Sequence, residues 1–185
     1  MIDTIQKDAA DKMQHAVDFV REDMATIRTG RAHPAMFNKI NAEYYGAPTP
    51  LQQLAQFTSP DPRSLLITPF DRSAIGAIEK AIRDSDLGVN PSNDGNSVRV
   101  IVPQLTEERR KEYIKLAKGK AEDARIAVRN VRRHAIDALK KLQKDGEIGE
   151  DELSRAEKSL DGTTRKFVDG IDDLLKHKEA ELLEI

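Results

Sequence analysis

A chain of 185 residues is long enough for one large domain or two small ones. Apolar residues make up 38% and charged residues 34%, with five Phe, three Tyr and no Trp, which favours thin aliphatic layers over one thick core. The absence of Cys excludes disulfide scaffolds, thiolate metal sites and Cys nucleophiles, and a formal charge of −2 gives no sign of a polyanionic partner.

No apolar run reaches the roughly 18 residues that span a bilayer, and the N-terminus opens on a periodic, acid-containing segment unlike a signal or transit peptide. A cytoplasmic protein without membrane contact is expected. Ile2, Ile5, Ala9, Met13, Ala16, Val20, Met24 and Ile27 recur at steps of three or four and predict a first long helix. Asp3 with Gln6 can cap its start, and Gly30 its end.

From Arg31 the texture changes. Seven prolines precede an eighth at Pro103, and β-type runs at Phe37–Tyr45, Leu51–Phe57, Leu65–Phe70 and Val98–Val102 predict short strands. A helix from Ser73 to Leu87 interrupts them, capped by Asp71 or Ser73, with Ile75, Ile78 and Ile82 inward and Gly88 at its end.

At Thr106 a second long helix begins, with Glu107 and Glu108 in the first turn, where the helix dipole favours acids. Ile114, Ala117, Ala121, Ala124, Val128, Val131, Ala135, Ala138 and Leu142 form a heptad seam, and its five alanines let neighbouring helices approach closely. Asp145 to Gly149 turns the chain into a third helix from Glu150, with Leu153, Ala156, Leu160, Phe167, Ile171, Leu174 and Leu182 inward. The expected fold is α+β in two domains: a long three-helix bundle of residues 1–30 and 106–185, and a small β/α/β sandwich inserted as residues 31–105. Gly30, Arg31 and Ala32 form one crossing, and Pro103, Gln104 and Leu105 the other; two short linkers side by side predict a hinge.

The near-neutral total hides segregation. Residues 107–145 carry 13 basic and 7 acidic side chains, whereas residues 146–185 carry 6 and 12. Opposite charge across a seam helps the right helices pair, which accounts for part of this. More specific is the row Arg125, Arg129, Arg132 and Arg133, whose spacing puts four guanidinium groups on one side of a helix. Arginine donates in a planar fork that suits phosphate. Arg109, Arg110 and Lys111 at the helix start, with Arg28 and Arg31 near the first crossing, extend the basic surface; Arg28 serves equally well as a cation closing a helix C-terminus. Neither a duplex-reading helix motif nor aromatics interleaved with the arginines is present, so a large structured RNA held by its phosphates and shape fits best. His15, His33, His134 and His177 lack ligand spacing, and no Gly-rich phosphate loop exists; no catalytic residue, metal site or cofactor is expected.

Several blocks are more particular: Ile27 to Ala32 (IRTGRA), Glu43 to Gly46 (EYYG), Phe70 to Ser73 (FDRS), Glu79 to Ile82 (EKAI), Ser85 to Gly88 (SDLG), Leu105 to Lys111 (LTEERRK) and Ala127 to Arg133 (AVRNVRR). Together, in order over essentially the entire chain, they resemble the bacterial ribosome recycling factor (ribosome-releasing factor) family. The resemblance implies an L-shaped, monomeric, non-catalytic factor with the outline of transfer RNA, its small domain on a mobile hinge. It also implies binding to the ribosome after peptide release. There, with elongation factor G and GTP, such a factor splits the ribosome into subunits, releasing messenger RNA and deacylated transfer RNA, and an initiation factor keeps the subunits apart. Carried over residue by residue, Arg28, Arg31, Arg110, Arg129, Arg132 and Arg133 would contact large-subunit ribosomal RNA, supported by Arg109 and Arg125. His134 stands where Asp is expected, His33 where a small polar residue is usual, and Gly149 where Ser would cap the third helix. None of these departures touches the arginine set. On the residues alone, a helical adaptor that binds a protein client through apolar patches and an unrecognised hydrolase remain open as alternatives.

Overall fold

The computed structural model describes residues 1–184. Three long helices, α1 (Ile2–Ala25), α4 (Glu107–Lys144) and α5 (Glu150–Leu183), enclose in sequence a β-rich segment. That segment holds β1 (Asn41–Tyr44), β2 (Ala47–Pro50), a single helical turn α2 (Leu51–Leu54), β3 (Ala55–Asp61), β4 (Ser64–Pro69), α3 (Ile75–Arg83), β5 (Asn90–Asn93) and β6 (Val98–Ile101). Grouped by contacts, Met1–Met24 and Ile114–Glu179 form one unit, and Ala25–Tyr113 with the chain from Ala180 form the other.

The first unit is a three-helix bundle. α1 buries Ala9, Met13, Val17, Val20 and Met24; Val17 lies deeper than the expected Ala16. Gln6 does not cap α1, because its amide donates to the Ala156 carbonyl of α5 at 3.5 Å. On α4 the alanine seam is buried at Ala117, Ala121, Ala124 and Ala135, with Val128 between them. Past Ala135 the buried position moves from the expected Ala138 to Leu139, as a straight helix of 3.6 residues per turn drifts off a 3.5-residue repeat. α5 fills the gaps in its apolar pattern with buried Thr164, whose hydroxyl donates to the Leu160 carbonyl at 2.8 Å, and buried Lys178. Between α1 and α4 the Lys120 ammonium meets the Asp23 carboxylate at 2.7 Å.

The turn between α4 and α5 is specified locally. Gly146 adopts φ +76, and the Gly146 and Glu147 amides donate to the Gln143 and Leu142 carbonyls at 3.0 and 2.9 Å, which satisfies the last carbonyls of α4. At the start of α5, Glu152 reaches back to the Gly149 amide at 3.3 Å, so half of a capping box survives without a side chain at residue 149.

In the second unit β1 and β2 form an antiparallel pair, and a separate antiparallel sheet runs in the order β3-β4-β6-β5. Leu65 and Ile67 of β4 stand opposite Val100 and Val98 of β6, and all four are fully buried with Ile78 and Ile82 of α3 and with Phe37. Each fully buried branched side chain of this kind contributes about 1.5 to 3 kcal/mol. Three expectations need correction. Phe37 ends a 3-10 turn (Pro34–Phe37) in place of opening a strand, because Pro34 presets the first position and His33 Nδ1 accepts the Ala35 amide at 3.1 Å. Leu51 and Leu54 are three apart and both buried while Gln52 and Gln53 face out, which is helical spacing; the strand starts only at Ala55. The inserted helix begins with a 3-10 turn at Arg72 and ends at Arg83, with Asp71 as its cap accepting the Ser73 amide. β2 and β5, rich in Pro and Asn, were not expected as strands; each is an edge strand, where a missing N–H is tolerated.

Candidate nucleic-acid interface

The arginines divide between the two units. In the bundle, Arg125 lies between α4 and α5, and its side chain is only 17% exposed. Its Nε and Nη2 reach Asp172 Oδ1 at 2.7 and 2.6 Å, and its Nη1 reaches Glu122 at 3.0 Å. Burial opposes its charge, yet the bonds to Asp172 and Glu122 outweigh that and strengthen its hold on the proton. Arg125 is therefore a brace between helices. As a support for RNA contact its donors are already committed.

Arg132, seven residues on, is held from one side only: Nε donates to Asp161 of α5 at 2.6 Å, and its side chain is 38% exposed. A guanidinium gripped at Nε keeps its two terminal NH2 groups for another acceptor. Arg129 meets Glu122 at a loose 3.7 Å, and Arg133 bonds Asn130 within its own helix at 2.9 Å; both are exposed. Arg129, Arg132 and Arg133 form a row with donors left over, which is what a phosphate chain can use.

In the second unit, Arg28 is 7% exposed, and its Nη2 donates to the Pro103 carbonyl. It neither lies on the surface nor closes α1; it ties the first crossing to the second. The two crossings are further fastened to the β3–β4 turn. The Ala32 amide donates to the Pro62 carbonyl at 2.8 Å, the Val102 amide to the Arg63 carbonyl at 2.7 Å, and Arg63 Nε to the Val102 carbonyl at 3.2 Å. Arg31 is exposed and paired with Glu184 at 3.1 Å. Arg109, exposed, pairs with Glu112 at 3.4 Å, while its amide is capped by Thr106 Oγ1 at 3.1 Å. Arg110 is half-buried, and its Nε, like that of Arg28, has no hydrogen-bond partner. Both Nε atoms are themselves buried, so the unmet donors are a desolvation cost within the fold, and only the outer part of Arg110 can meet an anion.

The bundle also carries an open groove of about 540 Å³ between α1 and α4, lined by His15, Phe19, Asp23, Lys120, Asp123 and Ala127. Among the described residues no group of His, Asp and Glu is placed to hold a metal ion, and no helix is long and apolar enough to cross a membrane. Sequence reasoning missed two features. One is the carboxylate set on α5, Asp161 and Asp172, that engages the arginine row. The other is a corner of the β-rich unit where Tyr45 and Phe70 stand exposed beside a hydrogen bond from the Tyr44 hydroxyl to Asp71 at 2.7 Å. The doublet Tyr44-Tyr45 before Gly46 was the available signal, since Tyr-Gly is a poor choice for a tight hairpin turn unless the ring is needed.

Comparison with known proteins gives one answer throughout. The family model for ribosome recycling factor matches residues 20–183. The ribosome-recycling factor of Streptomyces coelicolor is 64% identical over the full length of both chains, and that of Cutibacterium acnes is 67% identical over 98% of each. A solution structure of a ribosome recycling factor is 39% identical with a TM-score of 0.79, covering 100% of this chain and 98% of that one. A Thermus thermophilus ribosome recycling factor, described together with Escherichia coli elongation factor G bound to the E. coli post-termination complex, is 44% identical with a TM-score of 0.72 over the whole of both chains.

Proposed function

This chain belongs to the ribosome recycling factor family, and from that premise we propose that it binds the post-termination ribosome and, with elongation factor G and GTP, parts it into subunits. Messenger RNA and deacylated transfer RNA leave, and an initiation factor keeps the subunits from rejoining. The factor works in the cytoplasm as a monomer. It makes and breaks no covalent bond; the GTPase is its partner.

The observation that carries this reading is the exposed row Arg129, Arg132 and Arg133 on α4, with Arg132 oriented by Asp161 so that its terminal donors stay free. The bundle holds large-subunit ribosomal RNA through these groups. Arg31, Arg109 and Arg110 add contacts from the second unit, whereas Arg28 acts by fixing the crossings and Arg125 by fixing the helices. Such contacts are sequence-independent, so their strength falls steeply with salt. The inserted domain is the part on which elongation factor G acts, about the crossings at residues 30–32 and 103–105.

The direct test supplies purified protein to model post-termination complexes and follows subunit release by light scattering. Splitting is expected only when elongation factor G and GTP are both present. Failure at both low and moderate salt would sink the proposal, and salt-insensitive ribosome binding would point to an adaptor that docks through apolar surface.

A further inference from the structure

The hairpin β1–β2 closes on the two residues Tyr45 and Gly46, with φ of +50 and +78, and its last ladder pair is Tyr44 with Ala47. Two successive positive φ values match the right-handed twist of a hairpin, which is why Asn-Gly is the usual occupant. A tyrosine in the left-handed region crowds its Cβ against its own carbonyl and is disfavoured. Burial does not offset this strain, because Tyr45 is 87% exposed, with an edge-on contact to Tyr44 at 4.5 Å between ring centroids.

The corner is also held firmly. The Tyr44 hydroxyl donates to Asp71 Oδ2 at 2.7 Å, while Asp71 Oδ1 accepts the Ser73 amide and hydroxyl at 3.0 and 2.8 Å. Phe70, next to Asp71, is fixed through its amide to the Leu54 carbonyl at 2.9 Å, yet its side chain is 72% exposed. In a chain with only eight aromatic residues, two stand bare on one anchored corner. Strain kept at an exposed position, beside a second bare ring on a rigid support, is the signature of a side chain retained for contact with something else.

We propose that the Tyr45–Phe70 corner is the surface on which elongation factor G docks; this rests on the recycling function proposed above. A protein fits the corner better than RNA does. Residues 31–106 carry seven basic and seven acidic side chains, and beside the corner Glu43 and Asp71 outweigh Arg72, so there is no cationic track for a phosphate chain. Rigid aromatic anchors with few charges between them are the residues that dominate protein–protein contacts. The related factor from T. thermophilus is described together with elongation factor G on the post-termination complex, which puts that protein within reach. The complementary surface is an apolar recess with a cation at its rim facing Glu43.

Tyr45→Gly and Phe70→Ser, each in the full chain, test this. Glycine suits φ +50, so Tyr45→Gly should melt no lower than the unaltered protein. Affinity of both variants for post-termination ribosomes without the partner should be unchanged. The elongation factor G concentration that gives half-maximal splitting should rise about fivefold or more, as expected on losing a central aromatic contact. Unchanged factor dependence in both variants would overturn the proposal, and so would weaker ribosome binding by the variants alone, which would make the corner a ribosome contact. Should Tyr45→Gly melt several degrees lower, its ring is structural, and Phe70→Ser then decides alone by the same readout. An unaltered chain that splits no ribosomes marks failure of the recycling reading itself, and the corner falls with it; variant-insensitive splitting marks failure of the corner only.

Discussion

Replacing Arg125 by alanine removes a mostly buried side chain and its two bonds to the partly exposed Asp172 of α5, while replacing Arg132 removes a side chain gripped at one nitrogen. We expect Arg125→Ala to lower stability by about 1 to 2 kcal/mol, between the values for exposed and buried pairs, with ribosome affinity nearly intact. For Arg132→Ala the expectation reverses: binding to the large subunit weakens by about 1 to 3 kcal/mol and the fold is kept. Urea midpoints and ribosome sedimentation on both variants check the pair, and equal losses of stability would return Arg132 to a structural role. The anchored corner gives a pH dependence. Asp71 is held below the usual carboxylate range, first by the Tyr44 hydroxyl and then by the Ser73 amide and hydroxyl, and the same bond pushes the Tyr44 hydroxyl up to about 12. A carboxyl with a lowered pKa in the fold is protonated more readily in the unfolded chain. Its contribution is therefore complete above the unfolded value of about 4 and disappears as pH falls through the lowered one. Tyr44 runs the other way: its contribution is complete below its unfolded value of about 10 and disappears as pH rises through about 12. Asp71→Asn should flatten the acid side of the stability profile of the β-rich unit, measured by urea unfolding from pH 2 to 6; an acid side as steep as before would refute the assignment.

At the level of elements, the alanine seam of α4 makes the sharpest demand. Ala121 has no exposed surface, so Ala121→Leu must push neighbouring helices apart, at about 1 to 3 kcal/mol, whereas Ala127→Leu on the exposed face should cost little. Denaturant midpoints of the two variants make the comparison. The long helices were legible because their apolar spacing repeats over many turns and their ends carry local signals such as Thr106 and the Asp145–Gly149 turn. The short β elements were less so. Leu51–Leu54 reads equally well as strand or helical turn over four residues, and Asn90–Asn93 has no apolar pattern, since an edge strand needs only a partner backbone.

For the molecule as a whole, legibility followed the range of the interaction. The row Arg129, Arg132 and Arg133 could be seen because one helix sets its spacing. Its carboxylate partner Asp161 could not be paired with it, because the bond joins residues 29 apart through packing of α4 on α5. Nor does apolar spacing reveal which rings stay exposed, so Tyr45, despite the Tyr-Gly signal beside it, and Phe70 passed as ordinary strand residues, and the burial of Arg28 went unseen for the same reason.

The ion pairs along α4 alter the character of RNA contact under the proposed function. A phosphate arriving at Arg129 or Arg132 meets a guanidinium that already has an anion, Glu122 or Asp161, so it joins a cation already partly neutralised, through the donors left over. Such a contact gains less than one made to a bare cation, and it is correspondingly easier to give up. When the subunits move, the carboxylate is still beside its arginine, so detachment leaves no bare cation behind.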